Sequence, residues 1–184
     1  MRWALAIAVM FGVIGCERHA DPPKRASRWS EEPVERMGQL FGGTKAAAIV
    51  ASPDRIIVSR LDVPKMGVLR NVGYLAWPDR GRPVELDVAT RTRLASIVAA
   101  DDTYRWTMHS MCIVRPGVKL RFMKAGDELD LYLCFECLTM LVRTGDGHIA
   151  SPVFDGRRVA ELIKPLFPDD VAFQELKVRE LPRD

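Results

Sequence analysis

Four cysteines offer the most chemistry in this chain, and three of them, Cys112, Cys134 and Cys137, lie close together in sequence. Three neighbouring thiols allow a structural disulfide, a redox pair or a soft-metal site. A bond from Cys112 to Cys134 or Cys137 closes a loop of roughly twenty residues. Such a loop is worth about 3 kcal/mol through restriction of the unfolded chain, against about 2 kcal/mol for the small Cys134-to-Cys137 loop. Cys134-Phe135-Glu136-Cys137 also has the spacing of thiol–disulfide oxidoreductases. Those proteins set the first thiol at a helix N-terminus, which lowers its pKa, whereas residues 138–143 have a strand-like pattern and supply no such dipole. Strand alternation would further send Cys134 and Cys137 to opposite faces unless a bulge turns one of them. For a metal, three thiolates with His109, or with Met108 and Met111 nearby, have the ligand types that suit zinc or cuprous copper. Against this, a second CxxC pair is missing, methionines more often fill cores, and a lone histidine is more often a surface or hydrogen-bonded residue. All three readings stay open on the residues alone. The favoured one is a disulfide from Cys112 to one member of the pair, leaving the other a free thiol.

Other signals carry less. Gly42-Gly43-Thr44-Lys45 has the composition of a phosphate loop but the wrong order, since Gly-Lys must precede the hydroxyl residue with another glycine upstream. His19 falls in a polar N-terminal stretch, His148 beside Gly145-Asp146-Gly147, and no serine has a nucleophile-elbow context, so no hydrolytic triad can be named. Asp127, Glu128 and Asp130 are the solvated end of a hairpin. No catalytic residue, turnover or cofactor is expected.

The elements that must hold these cysteines are mixed. Val118, Leu120 and Phe122 alternate with Lys119, Arg121 and Met123, and Leu129, Leu131 and Leu133 alternate with Asp130 and Tyr132. Joined through Ala125-Gly126-Asp127, they form a hairpin of two half-buried strands. Its closure puts Cys134 opposite about Val118 at the open end, which Cys112 enters through the turn Pro116-Gly117. Residues 138–143 continue as strand, but one strand over 129–143 exceeds the usual three to ten residues, so a turn or bulge is required near Phe135-Glu136. Residues 46–51 and 55–61 read as short strands about the turn Ser52-Pro53-Asp54. A helix follows Asp87, with Leu94, Ile97 and Val98 on one face. Asp155 offers an N-cap for a second helix that buries Val159, Leu162, Ile163 and Leu166 and stops at Pro168. Clustered strands with helices before and after give an α+β domain, a small antiparallel sheet containing a hairpin and flanked by helices.

The chain opens with Met1-Arg2, an apolar run from Trp3 to Ile14, and Gly15-Cys16, the layout of a signal peptide. At ~1.5 Å per residue, this apolar run of 12 residues reaches ~18 Å, short of a hydrocarbon core of roughly 30 Å. Residues 17–33 are polar, contain Pro22-Pro23 and Pro33, and have Trp29 as their one large apolar side chain, which reads as a flexible tether. The organisation is thus a signal peptide over 1–15, Cys16 and a tether over 16–33, and one globular domain over 34–184. The net charge of +3 comes from arginines scattered along the chain, which favours solubility and gives no reason to expect nucleic acid as a partner.

Val13-Ile14-Gly15-Cys16 resembles the lipobox of bacterial lipoproteins. The resemblance implies cleavage before Cys16, a diacylglycerol thioether on its sulfur and an added N-acyl chain such as palmitate. Several chains are needed, because one acyl chain holds a protein only marginally. Glu17 is not the aspartate that in enteric bacteria favours retention at the inner membrane, so the expected address is the cell envelope, at the outer membrane facing the periplasm. Further on, Cys112 followed by Pro116-Gly117-Val118-Lys119-Leu120-Arg121-Phe122, then Leu133-Cys134-Phe135-Glu136-Cys137, is similar to a group of uncharacterised bacterial proteins, many of them exported. The similarity covers the last third of the chain and implies no activity. It supports only that these cysteines act together.

Overall fold

The structure, a computed structural model, describes residues 29–30, 32–62, 77–109, 114–144, 147 and 149–179. Along them run α1 (Pro33–Phe41), α2 (Thr44–Ala51), β1 (Arg55–Arg60), β2 (Val84–Glu85), α3 (Val88–Val98), β3 (Tyr104–Arg105), β4 (Val118–Lys124) and β5 (Asp127–Cys134). There follow β6 (Thr139–Thr144), β7 (Ile149–Ala150), β8 (Val153–Phe154), α4 (Gly156–Ile163) and α5 (Val171–Gln174).

The hairpin of β4 and β5 is the centre of the molecule. Lys124 pairs with Asp127 across a two-residue turn, with φ of 50° at Ala125 and 87° at Gly126. Two positive φ values give a turn whose twist matches the strands, and glycine takes the second without strain. Ala125 takes the first at some cost, offset by its N–H donating to Asp54 Oδ2 at 2.8 Å. β1 pairs antiparallel with β4, and β6 with β5, so the sheet runs β2-β1-β4-β5-β6-β8-β3 with β7 beside β6. The class is α+β, as the sequence predicts. The sheet is larger than expected, because β2, β3, β7 and β8 are two-residue strands below the reach of periodicity.

Alternation assigns the two faces. Leu120, Phe122, Leu131 and Val142 are fully buried with Leu40, Phe41, Val50, Leu94, Val159 and Ile163 of the helices in the main core. On the opposite face Tyr132 and Leu141 join Leu61 and Trp77 in a smaller cluster. The predicted cap is present, Asp155 accepting from Arg157 N at 3.1 Å to start α4, and the helix expected after Asp87 is α3, which Asp87 caps by accepting from Thr90 N at 2.9 Å.

Two expectations are corrected. Residues 46–51 are helix, within α2, rather than strand. Ala46-Ala47-Ala48 are strong helix formers, and burial of Ile49 and Val50 against the sheet needs only one helical face. Gly42, left-handed at φ 85°, ends α1 just before it. Trp29, which the sequence puts in the tether, is buried in the main core. Its ring meets that of Trp106 edge-on at 5.2 Å, and Arg36 lies over Trp106 while bonding both carboxylate oxygens of Asp101. Packing thus begins at least four residues before α1, so the domain includes residues assigned to the tether.

Candidate functional site

Cys134 ends β5 and pairs with Thr139 at the start of β6. It shares the face of Tyr132 by alternation, is 1 % exposed and carries a free thiol. The strand breaks where its length required it, in a four-residue turn over 135–138 rather than a bulge. Leu138 closes that turn at φ 52°, its carbonyl accepting from Phe154 N at 2.9 Å, and Phe135 packs in the main core against Phe154 with ring centroids 6.0 Å apart. Cys137 sits in the turn, half-buried, in a disulfide. Since Cys134 is free, that bond does not run between the two. Cys112 and Cys16 lie outside the described residues. The hairpin register differs by one from expectation, with Leu133 rather than Cys134 opposite Val118.

The other proposed ligands are dispersed or undescribed. His109 and Met108 are exposed, and Met111 lies outside the described residues, as do His19 and His148. Among the described residues no three His, Cys, Asp or Glu side chains group to hold a metal. The carboxylates at the hairpin turn are paired: Asp127 with Lys45 at 2.8 Å, and Asp130 with both Nε and Nη2 of Arg121 at 2.8 and 3.0 Å. Alkylation of native, unreduced protein should leave Cys134 unlabelled until the chain is unfolded. Peptide mapping should then recover Cys137 in a linked peptide that lacks Cys134. A Cys134-to-Cys137 link would overturn this arrangement.

A site that sequence reasoning missed lies where the turn over 135–138 meets α5. Arg60 occupies an inward position of β1 after Ile56 and Val58, and is 9 % exposed. Its Nε donates to Asp170 Oδ2 at 3.0 Å, another guanidinium nitrogen donates to the Gly117 carbonyl, and the group lies 4.1 Å from the centre of the Phe173 ring. Asp170 Oδ1 meanwhile accepts from Phe173 N at 3.1 Å and caps α5. Burial raises the Asp170 pKa, but hydrogen bonds from Arg60 and the Phe173 amide, with the charges of Arg60 and Arg80, outweigh it and hold the carboxyl below its usual range. An arginine at a core-facing strand position was the readable signal, because a buried polar residue is informative where an exposed apolar one is not.

Around this pair open two adjoining cavities. The first, about 240 Å³, has Arg80, Arg115, Asp62 and Glu136 on its walls and Leu61, Phe135 and Phe173 among its apolar lining. The second, about 320 Å³, shares Arg60 and Arg80 and adds Arg82 and Asp169. Arg115 Nε is buried without a hydrogen-bond partner among the described residues. A concave surface with an apolar floor and a few converging charges has the general form of small-molecule sites.

No family model, no curated protein and no solved structure matches this chain.

Proposed function

We propose that the chain is an exported lipoprotein, held through lipid on Cys16 at the outer membrane facing the periplasm, whose domain binds a ligand or envelope partner and performs no catalysis. The observation that carries this reading is the sulfur arrangement: Cys137 is in a disulfide while Cys134 is free and buried. A disulfide suits an oxidising compartment and a structural staple. The same arrangement weighs against the alternatives. A thiol–disulfide redox protein needs its CxxC thiols to close on each other and one of them to reach solvent. A zinc or copper protein using Cys112, Cys134 and Cys137 needs three thiolates at once. The lipobox and signal layout of residues 1–16 support the address. Among the described residues no helix is long and apolar enough to cross a membrane.

Cells fed a fatty-acid analogue should label the protein, and Cys16→Ala should abolish both the label and lipoprotein processing. An unlabelled mature chain beginning elsewhere than Cys16 would sink the address. Purified protein should show no thiol oxidoreductase turnover, and turnover lost on Cys134→Ser would replace the binding reading with the redox one.

A further inference from the structure

We infer that the paired cavities beside Arg60 hold a small zwitterion of the amino-acid or short-peptide class, its carboxylate between Arg80 and Arg115 and its ammonium toward Asp62 and Glu136. This deepens the binding reading and rests on it.

The charge balance selects the ligand. Arg60 is already neutralised by Asp170 at 3.0 Å, so it contributes structure rather than a vacant charge. Arg80 and Arg115 remain as cations of the first cavity, facing Asp62 and Glu136 as anions in the same walls. Among the described residues none of these four has an ion-pair partner within 4.0 Å. Arg80 also acts on the Asp170 carboxylate through its charge, but among the described residues these opposite charges share a cavity without closing on one another, which leaves them open to a ligand. A bare anion such as phosphate would satisfy the guanidinium groups but meet two carboxylates, and a bare cation would meet the reverse. A ligand carrying both charges satisfies both, and Arg115 Nε, buried and without an acceptor among the described residues, supplies a donor whose desolvation a carboxylate would repay.

Size and apolar lining narrow it further. At ~30 Å³ per water, about 240 Å³ is the room of roughly eight waters, which suits a single amino acid, and the adjoining cavity of about 320 Å³ extends it to a dipeptide. Leu61, Phe135 and Phe173 offer an apolar side chain somewhere to lie. The position of Glu136 is fixed by its neighbours: it stands in the four-residue turn between Phe135, in the core, and Cys137, in the disulfide.

Calorimetric titration of the full chain should compare the dipeptide Ala-Leu with its N-acetyl form, its C-terminal amide, free leucine and inorganic phosphate. Ala-Leu or leucine should bind, whichever is tighter separating a peptide from an amino-acid source. Acetylation or amidation should weaken binding about tenfold or more, the cost of stranding one charged partner. Arg115→Gln and the exposed Arg80→Gln should weaken the zwitterion by a similar factor, Glu136→Gln should weaken Ala-Leu but not N-acetyl-Ala-Leu, which has no ammonium, and Arg93→Gln, exposed on α3, should change nothing. Phosphate or N-acetyl-Ala-Leu binding as tightly as Ala-Leu would overturn the zwitterion while leaving a binding module. Absence of binding by every probe would overturn the ligand class. Cleavage of Ala-Leu during the titration, seen by mass spectrometry, would instead overturn the non-catalytic reading.

Discussion

Replacing Asp170 by alanine should cost about 3–5 kcal/mol of stability, because it leaves the Arg60 guanidinium charged, buried and without its carboxylate. The side chains of the pair are only 10 % and 12 % exposed, so solvent cannot take over as it does for surface pairs such as Lys45 with Asp127. The same substitution removes the cap from α5, worth ~1 kcal/mol. Arg60→Met should cost less than Asp170→Ala, since an apolar side chain of similar length fills the space and Asp170 keeps its bond to Phe173 N. Urea denaturation of both variants measures the difference, and a loss under about 1 kcal/mol for Asp170→Ala would falsify the buried pair.

The pH dependence has a definite sign. Because the folded Asp170 pKa lies below its unfolded value of ~3.9, the stability it contributes is complete above that value and is lost as pH falls through the folded one. Wild type and Asp170→Asn should therefore differ by a constant amount from neutral pH down to about 5, and converge below about 4.

What was legible in the sequence, and what was not, follows from the range of the physics. The hairpin was legible because its strands alternate cleanly and a two-residue turn joins them, all within some seventeen residues of chain, Val118 to Cys134. The cap Asp155 and the helix after Asp87 were legible for the same local reason. Residues 46–51 misled because alanines with one Ile and one Val fit either element, and the decision came from the sheet beneath them. Trp29 misled because its polar neighbours dominate composition, while its burial depends on Trp106, far along the chain. That Cys137 rather than Cys134 is in the disulfide was not legible, since Cys137 stands in a turn whose Leu138 adopts a left-handed φ, for which residue type gives no warning. The groove was beyond sequence altogether: Arg60 and Asp170 meet across 110 positions, and only the odd placement of Arg60 hinted at a partner.

Phe173→Ala should cost about 3–5 kcal/mol and lower the melting temperature by roughly 6–20 °C, since the ring is 1 % exposed and its removal leaves a cavity. Phe122→Ala should cost a similar amount, its side chain being fully buried between sheet and helices. The two differ in what else they touch. Phe173 packs against Phe135 and Phe167 with ring centroids 6.1 Å away in each case, and it lies under the Arg60 guanidinium. A double-mutant cycle with Arg60→Met should therefore show about 0.5–2 kcal/mol of coupling for Phe173→Ala and under about 0.5 kcal/mol for Phe122→Ala. Equal coupling in the two cycles would mean that the cation over the ring contributes nothing, and that the groove floor is ordinary core. Coupling confined to Phe173 would tie α5, β1 and the turn beside Cys137 into one energetic unit, so that loss of the ring loosens the wall carrying Glu136 as well as the floor.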